Sequence, residues 1–71
     1  MRKITAYILG EDYNGTECET CFTVSVADSI SNDTIQYLIR RAAPIMAKLQ
    51  GLTGIETQVE TIEDENGNPI I

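Results

Sequence analysis

The chain of 71 residues has no histidine and no tryptophan, and it contains two cysteines and two prolines. Without histidine, the Ser–His and Cys–His pairs of nucleophilic catalysis are absent. A structural zinc site needs about four thiolate or imidazole ligands, which one copy of this chain cannot supply. Glycine-rich phosphate loops and the regular aspartate spacing of a calcium loop are also missing. We therefore expect no enzymatic activity and predict no cofactor and no metal ligands.

Long hydrophobic runs are missing as well. No stretch approaches the roughly 20 apolar residues of a membrane helix. The apolar run Ile4–Leu9 is too short for the core of a signal peptide and ends in Gly10-Glu11-Asp12. The sequence therefore predicts a chain that resides in the cytoplasm.

Basic residues are few: the chain has five basic and eleven acidic residues, and its net charge is −6. This balance disfavours direct binding to nucleic acid or to an anionic membrane, since both need clustered Lys and Arg. The charges are also sorted along the chain. Nine of the eleven acids form two groups: Glu11, Asp12, Glu17 and Glu19, then Glu56, Glu60, Glu63, Asp64 and Glu65. The bases are Arg2, Lys3, Arg40, Arg41 and Lys48.

Two strands are predicted in the first third of the chain. Residues Arg2–Leu9 carry apolar side chains on both faces, which is typical of a central strand. Residues Glu19–Ala27 alternate cleanly, which is typical of a strand with one face in water. The turn residues of Gly10–Thr16 join the two strands as a hairpin.

A helix is predicted next, ending near Gly51. Ser31 or Asn32 is suited to cap its first turn. Pro44 removes one helical hydrogen bond, and a kinked single helix is favoured over two short helices. The predicted buried stripe consists of Ile35, Leu38, Ile39, Ala42, Ile45, Met46 and Leu49.

A third strand is predicted at Ile55–Ile62, and Asn66-Gly67 is a tight-turn dipeptide. A short fourth strand, Asn68–Ile71, is expected at the sheet edge because Pro69 lacks a donor. The prediction is a single α+β domain of residues 1–71, with an antiparallel sheet of three to four strands in the order 2-1-3-4. One long helix covers one face. The other face is expected to keep Tyr7, Leu9, Cys21 and Ile62, a patch that a second copy would cover.

Cys18-Glu-Thr-Cys21 is the one motif with chemical possibilities. A redox pair of this spacing normally opens a helix, where the thiol pKa is lowered. Here it begins a predicted strand between two glutamates, and residues three apart on a strand face opposite sides. The favoured interpretation is one buried and one exposed thiol. Four thiolates shared across a dimer remain an alternative.

The function that these patterns favour is a small acidic interaction protein that binds a basic protein surface and inhibits it, as small acidic phage proteins do by analogy of size and charge alone. The predicted binding residues lie in the hairpin loop: Glu11, Asp12, Tyr13, Glu17 and Glu19. Glu63–Glu65 are expected near Arg2 and Lys3 and are partly neutralised there. The alternatives are a homo-oligomerising structural module and a thiol-bridged metal dimer.

Overall fold

The computed structural model describes residues 1–70 and has an α+β fold. Three strands, β1 (Arg2–Glu11), β2 (Glu17–Val26) and β3 (Gln58–Glu63), form one antiparallel sheet in the order β2-β1-β3. One helix, α1 (Asn32–Leu49), packs on one face. The fold class and the central position of the first strand are confirmed. Three of the predicted three to four strands are present, and a fourth is not shown: at residues 68–70, Pro69 makes one isolated bridge, and Ile71 lies outside the described residues.

The two β-turns of the sheet are built alike, although they lie at opposite ends of it. In the first, the Asp12 N–H donates to the Thr16 carbonyl at 2.9 Å, and Asp12 Oδ1 accepts from the N–H groups of Asn14 and Thr16. Asp64 makes the same bonds with Asn66 and Asn68. An aspartate that bonds its own turn stabilises it locally. The first loop is therefore tighter than predicted, so β1 extends to residue 11 and β2 begins at residue 17.

β3 begins three residues later than predicted and is irregular. Glu56 has a φ of 55°, a left-handed conformation that ends any strand through it. The register against β1 then shifts between Tyr7 and Ile8, so that one extra residue, Glu60, stands between Val59 and Thr61. Because of this bulge, Ile62 turns toward the helix and is fully buried. Its predicted place on the opposite face is wrong.

α1 runs as one helix through Pro44. Ser31 caps its start, because Ser31 Oγ accepts from the Thr34 N–H at 3.3 Å. At its end, Gly51 has a φ of 88°, and the Leu52 N–H donates to the Ala47 carbonyl at 2.9 Å. This is the glycine-based end that the sequence predicts. Among residues 1–70, no helix is long and apolar enough to cross a membrane.

The core lies between α1 and the inner face of the sheet. It contains Ile4, Ala6, Ile8, Phe22, Ile35, Ile39, Ala43, Ala47, Leu52, Ile62 and Ile70. The predicted helix stripe is only partly correct, because the buried line runs along residues 35, 39, 43 and 47. Leu38, Ile45 and Leu49 are 54%, 63% and 75% exposed. We call Leu38, Ala42, Ile45 and Leu49 the helix flank.

The three tyrosines are all exposed, to different extents. Tyr37 is 60% exposed, and Arg41 stacks over its ring at 5.6 Å. This contact holds both side chains on the solvent side of α1. Tyr13 is exposed, as its place in the loop suggests.

Gly54 supplies a test of how closely the segment after α1 packs on the helix. Its φ is 79°, and a Cβ added there would lie 2.8 Å from Lys48 Cε and 3.0 Å from the Pro44 carbonyl oxygen. A left-handed backbone costs alanine about 1–2 kcal/mol, and overpacking adds about 1–3 kcal/mol. In urea unfolding, both costs should lower the free energy of unfolding of Gly54→Ala. Gly51 has a similar φ and open space around it, so only the backbone cost should lower the free energy of unfolding of Gly51→Ala. Equal losses would show that the close packing at Gly54 contributes nothing.

Candidate functional site: an acidic patch on the open sheet face

The face of the sheet away from α1 is open, and we call it the open face. It carries the odd-numbered residues of β1 and β2, which alternate with the buried ones. Near the middle, the Thr5 and Thr23 hydroxyls share a hydrogen bond of 2.9 Å. Tyr7 is 39% exposed and Leu9 is half-buried. The open face is therefore a mainly polar surface with a small apolar centre.

Glutamates gather at one end of this face. Glu11 and Glu17 are cross-strand partners in the register of β1 and β2. Together with Glu56 they line a depression of about 160 Å³ whose floor includes Leu9 and Gly10. Like charges that face each other across strands destabilise a sheet. We call Glu11, Glu17, Glu19, Glu56 and Glu60 the acidic patch.

Glu19 on β2 and Glu60 on β3 interact with each other across β1. A hydrogen bond between their side chains is the main reason that the pKa of Glu60 lies above its ordinary value. Partial desolvation and the negative charges of Glu19 and Glu17 raise this pKa further. The negative charge of Glu60 is therefore less favourable here than on an isolated glutamate.

Basic residues lie elsewhere. Across residues 1–70, one ion pair is within 4.0 Å, between the Met1 amino group and Asp28 at 3.8 Å. Arg2 donates to the Asn32 side chain at 3.1 Å. The Glu63–Glu65 turn does lie at the end of the sheet where β1 begins. The expected pairing with Arg2 and Lys3, however, forms no ion pair among these described residues.

The five residues predicted as a binding site separate into three kinds. Glu11, Glu17 and Glu19 belong to the acidic patch. Asp12 is occupied inside the turn, where its carboxylate holds two backbone N–H groups and stands 4.0 Å from Cys18 Sγ. Tyr13 projects from the tip of the turn and is 78% exposed. Asp12 therefore positions the loop instead of presenting a free charge.

Glu56 and Glu60 were missed, because the sequence places them in a separate acidic group. The predicted sheet order already set the third strand beside the first, which brings the two groups to neighbouring strands. What remained hidden was the bulge, which aims Glu60 over β1 toward Glu19. The two acidic groups of the sequence therefore merge, through these residues, into a common surface.

Cys18 and Cys21 are free thiols on opposite faces of β2. Cys18 is half-buried and packs against the core, while Cys21 is exposed on the open face. The two sulfur atoms of one chain therefore do not point toward a common ion. In residues 1–70, no group of three or more Cys, Asp and Glu side chains is arranged to hold a metal ion.

Comparison with known proteins gives no relative from which a function can be transferred: no family model, curated protein or solved structure matches the chain.

Glu60→Gln tests the repulsion within the acidic patch. Because the folded-state pKa of Glu60 is raised, the native chain binds more protons than the unfolded chain just above the ordinary glutamate pKa of 4.5. Stability therefore falls as the pH rises through the raised value. At pH 7, Glu60→Gln should have a higher Tm than the wild type, and this difference should vanish as the pH falls toward 4.

Glu65→Gln is the matched control, because Glu65 is exposed at the other end of the sheet. Its effect on Tm should be small and should not follow the same pH dependence. If Glu60→Gln is no more stable than the wild type at pH 7, the two carboxyl groups do not repel each other in the folded chain.

Proposed function

We propose that this chain is a non-enzymatic interaction module whose acidic patch binds a basic surface of a partner protein. The observation that carries the proposal is the proximity of Glu19 and Glu60, which raises the pKa of Glu60 and has no compensating base within 4.0 Å among residues 1–70. A surface that concentrates charge of one sign steers and selects partners of the opposite sign. A cationic partner relieves the repulsion that the free chain carries.

The apolar side chains within the open face support a protein partner. Tyr7 and Leu9 lie between the glutamates of β2 and those near β3. Lys and Arg combine a charged head with an apolar stem that packs on such side chains. Tyr13, exposed at the tip of the turn, is a further aromatic anchor of the type enriched in interfaces.

Proteins that hold nucleic acid are the partner class that fits best, because their surfaces cluster Lys and Arg against phosphates. A chain with net charge −6 complements such a surface without competing for the nucleic acid itself. Occupying that surface blocks it. In this proposal the chain acts as an inhibitor by competing with nucleic acid for the same basic residues.

The test compares two baits that differ from the wild type by the same charge. Glu19→Gln with Glu60→Gln removes two charges from the acidic patch, and Glu63→Gln with Glu65→Gln removes two from the opposite end. In affinity capture from the source cell, the wild type and the control pair should retain a basic protein that the patch variant loses. Added DNA should release it, and its retention should fall with salt for the wild type more steeply than for the patch variant.

Equal retention by both double variants would contradict the proposal, as would a captured protein that DNA does not displace. Asp12 is left unchanged in these baits, because replacing it would disturb the turn as well as the charge.

A further inference from the structure

The outer edge of β2 is long, and its second half is unprotected. β2 has ten residues, without lysine or proline, and its register with β1 is unbroken from Arg2–Val26 to Glu11–Glu17. No strand of residues 1–70 covers its other side. β3, at the opposite edge, is six residues long, bulged, and followed by Pro69. Proteins usually guard both edges of a sheet with charges, prolines, bulges or short strands. Here β2 has two charges near its start, Glu17 and Glu19, and its second half has none of these devices.

The hydrogen-bonding groups that this edge offers follow from the register. The Asp12 N–H donates to the Thr16 carbonyl, so this pair is the first backbone-bonded pair of the hairpin. Bonded and non-bonded pairs alternate in an antiparallel ladder, so the even-numbered residues of β2 bond to β1 and the odd-numbered ones face outward. Gln50 confirms this parity, because its Nε2 donates to the Cys21 carbonyl at 2.8 Å. The N–H and C=O groups of Thr23 and Ser25 therefore point away from the sheet.

An apolar groove of about 340 Å³ runs beside this edge on the helix side. α1 crosses the sheet obliquely: near its start Gln36 bonds to the Ile70 carbonyl beside β3, and at its end Gln50 bonds to β2. The second half of β2 is therefore left uncovered. Val24, Val26 and Ile30 line the groove and are only half-buried.

The helix flank borders the same groove through Leu38 and Ala42. Its four residues are spaced by four, three and four positions, which is the spacing of the apolar seam of paired helices. Residues buried against the sheet occupy a different side of α1. The flank is thus a second apolar line on the helix, and it has no packing partner among residues 1–70.

We propose that this edge, the groove and the helix flank are the interface of a homodimer with a two-fold axis at Thr23. In this register Thr23 pairs with Thr23 of the second copy, and Cys21 pairs with Ser25 of the second copy. The outward backbone groups of both strands bond to each other, and a six-stranded sheet results. In this arrangement the Cys21 carbonyl exchanges its bond from Gln50 for one from the Ser25 N–H of the second copy. Phe22 then lies beside Val24 of the second copy over a continuous core, and the two antiparallel helices pack through their flanks.

The sorted charges select a second copy as the occupant. An antiparallel pair about Thr23 sets Glu19 opposite Ala27 of the second copy, and that copy's Lys3 stands one strand further on the same face. Two strand spacings are roughly 10 Å, which is about one Debye length. A register centred on Glu19 would instead place two glutamates against each other. Glu19, which has no base within 4.0 Å among residues 1–70 of its own chain, thus gains Lys3 of the second copy, while Glu11, Glu56 and Glu60 remain exposed.

Thr23→Lys tests the interface, and within the single chain it removes one exposed hydrogen bond, to the Thr5 hydroxyl. The wild type should have twice the 7.8 kDa mass of one chain in sedimentation equilibrium at about 100 μM. Two lysines at the axis repel each other, and Thr23→Lys should raise the dimer dissociation constant by at least about tenfold. Thr61→Lys is the matched control, since Thr61 lies on the same face at the other side of the sheet. It should remain dimeric, and circular dichroism should show both variants folded.

A cysteine cross-link tests the register itself. In a Cys18→Ser, Cys21→Ser background, Thr23→Cys places two sulfurs across the axis, where bonded pairs have Cα atoms about 5.5 Å apart and a disulfide forms. Mild oxidation should give a covalent dimer of Thr23→Cys and not of Thr61→Cys.

Three results overturn the proposal: a wild-type monomer up to about 1 mM, a dimer that survives Thr23→Lys, or cross-linking at residue 61 in place of residue 23. The first of these would leave the edge to a strand from a different protein. Glu19 lies on this edge, whereas Glu60 lies on the far side of β1. The capture is therefore repeated with Glu60→Gln alone, and its loss of the basic protein would support the acidic patch whether or not the chain forms a dimer.

Discussion

The structure depends on one constraint: a single helix must cover a three-stranded sheet, and it can do so on one face only. A helix with its side chains is about 10 Å wide, and the outer strands of the sheet are themselves about 10 Å apart. β1, in the middle, receives full cover, and Ile4, Ala6 and Ile8 have no exposed surface. Each outer strand is covered along a portion of its length. The oblique path of α1 decides which portion, because it favours β3 at the start and β2 at the end.

Both candidate surfaces follow from this partial cover. The open face has no layer above it, so glutamates from three segments remain solvated there, and the repulsion between Glu19 and Glu60 is tolerated because water screens it. The uncovered half of β2 has the opposite character, with an apolar groove beside unpaired backbone groups. One surface is suited to a partner of opposite charge, and the other to a strand and a helix that extend the same fold.

Much of the fold follows from local patterns. The apolar residues on both faces of β1 place it at the centre, the alternation in β2 indicates an edge with one wet face, and Gly51 marks the end of α1. These predictions hold because each depends on a few neighbouring residues. A fourth strand is not shown in the described residues, because after the Asp64 turn the chain makes a single bridge, at Pro69.

The remaining errors concern features that a local pattern does not contain. A two-residue period assigned Ile62 to the open face, and one inserted residue, Glu60, reversed that assignment. The helix stripe was assigned to the core as a whole, although it contains two apolar lines, of which the flank at Leu38, Ile45 and Leu49 is exposed. Glu19 and Glu60 interact because of both the sheet order and the bulge. The sequence did not predict this interaction, because the two acidic groups are far apart along the chain.

The claim that the partial cover leaves β2 as an interface is tested most directly by amide hydrogen exchange, resolved residue by residue, at low and high protein concentration. Even-numbered amides of β2 bond to β1 and should exchange slowly at both concentrations. The outward amides of Cys21, Thr23 and Ser25 should exchange quickly in dilute solution and become protected as concentration rises. If these three amides exchange quickly at every concentration, β2 is a free edge and the account of the interface is wrong.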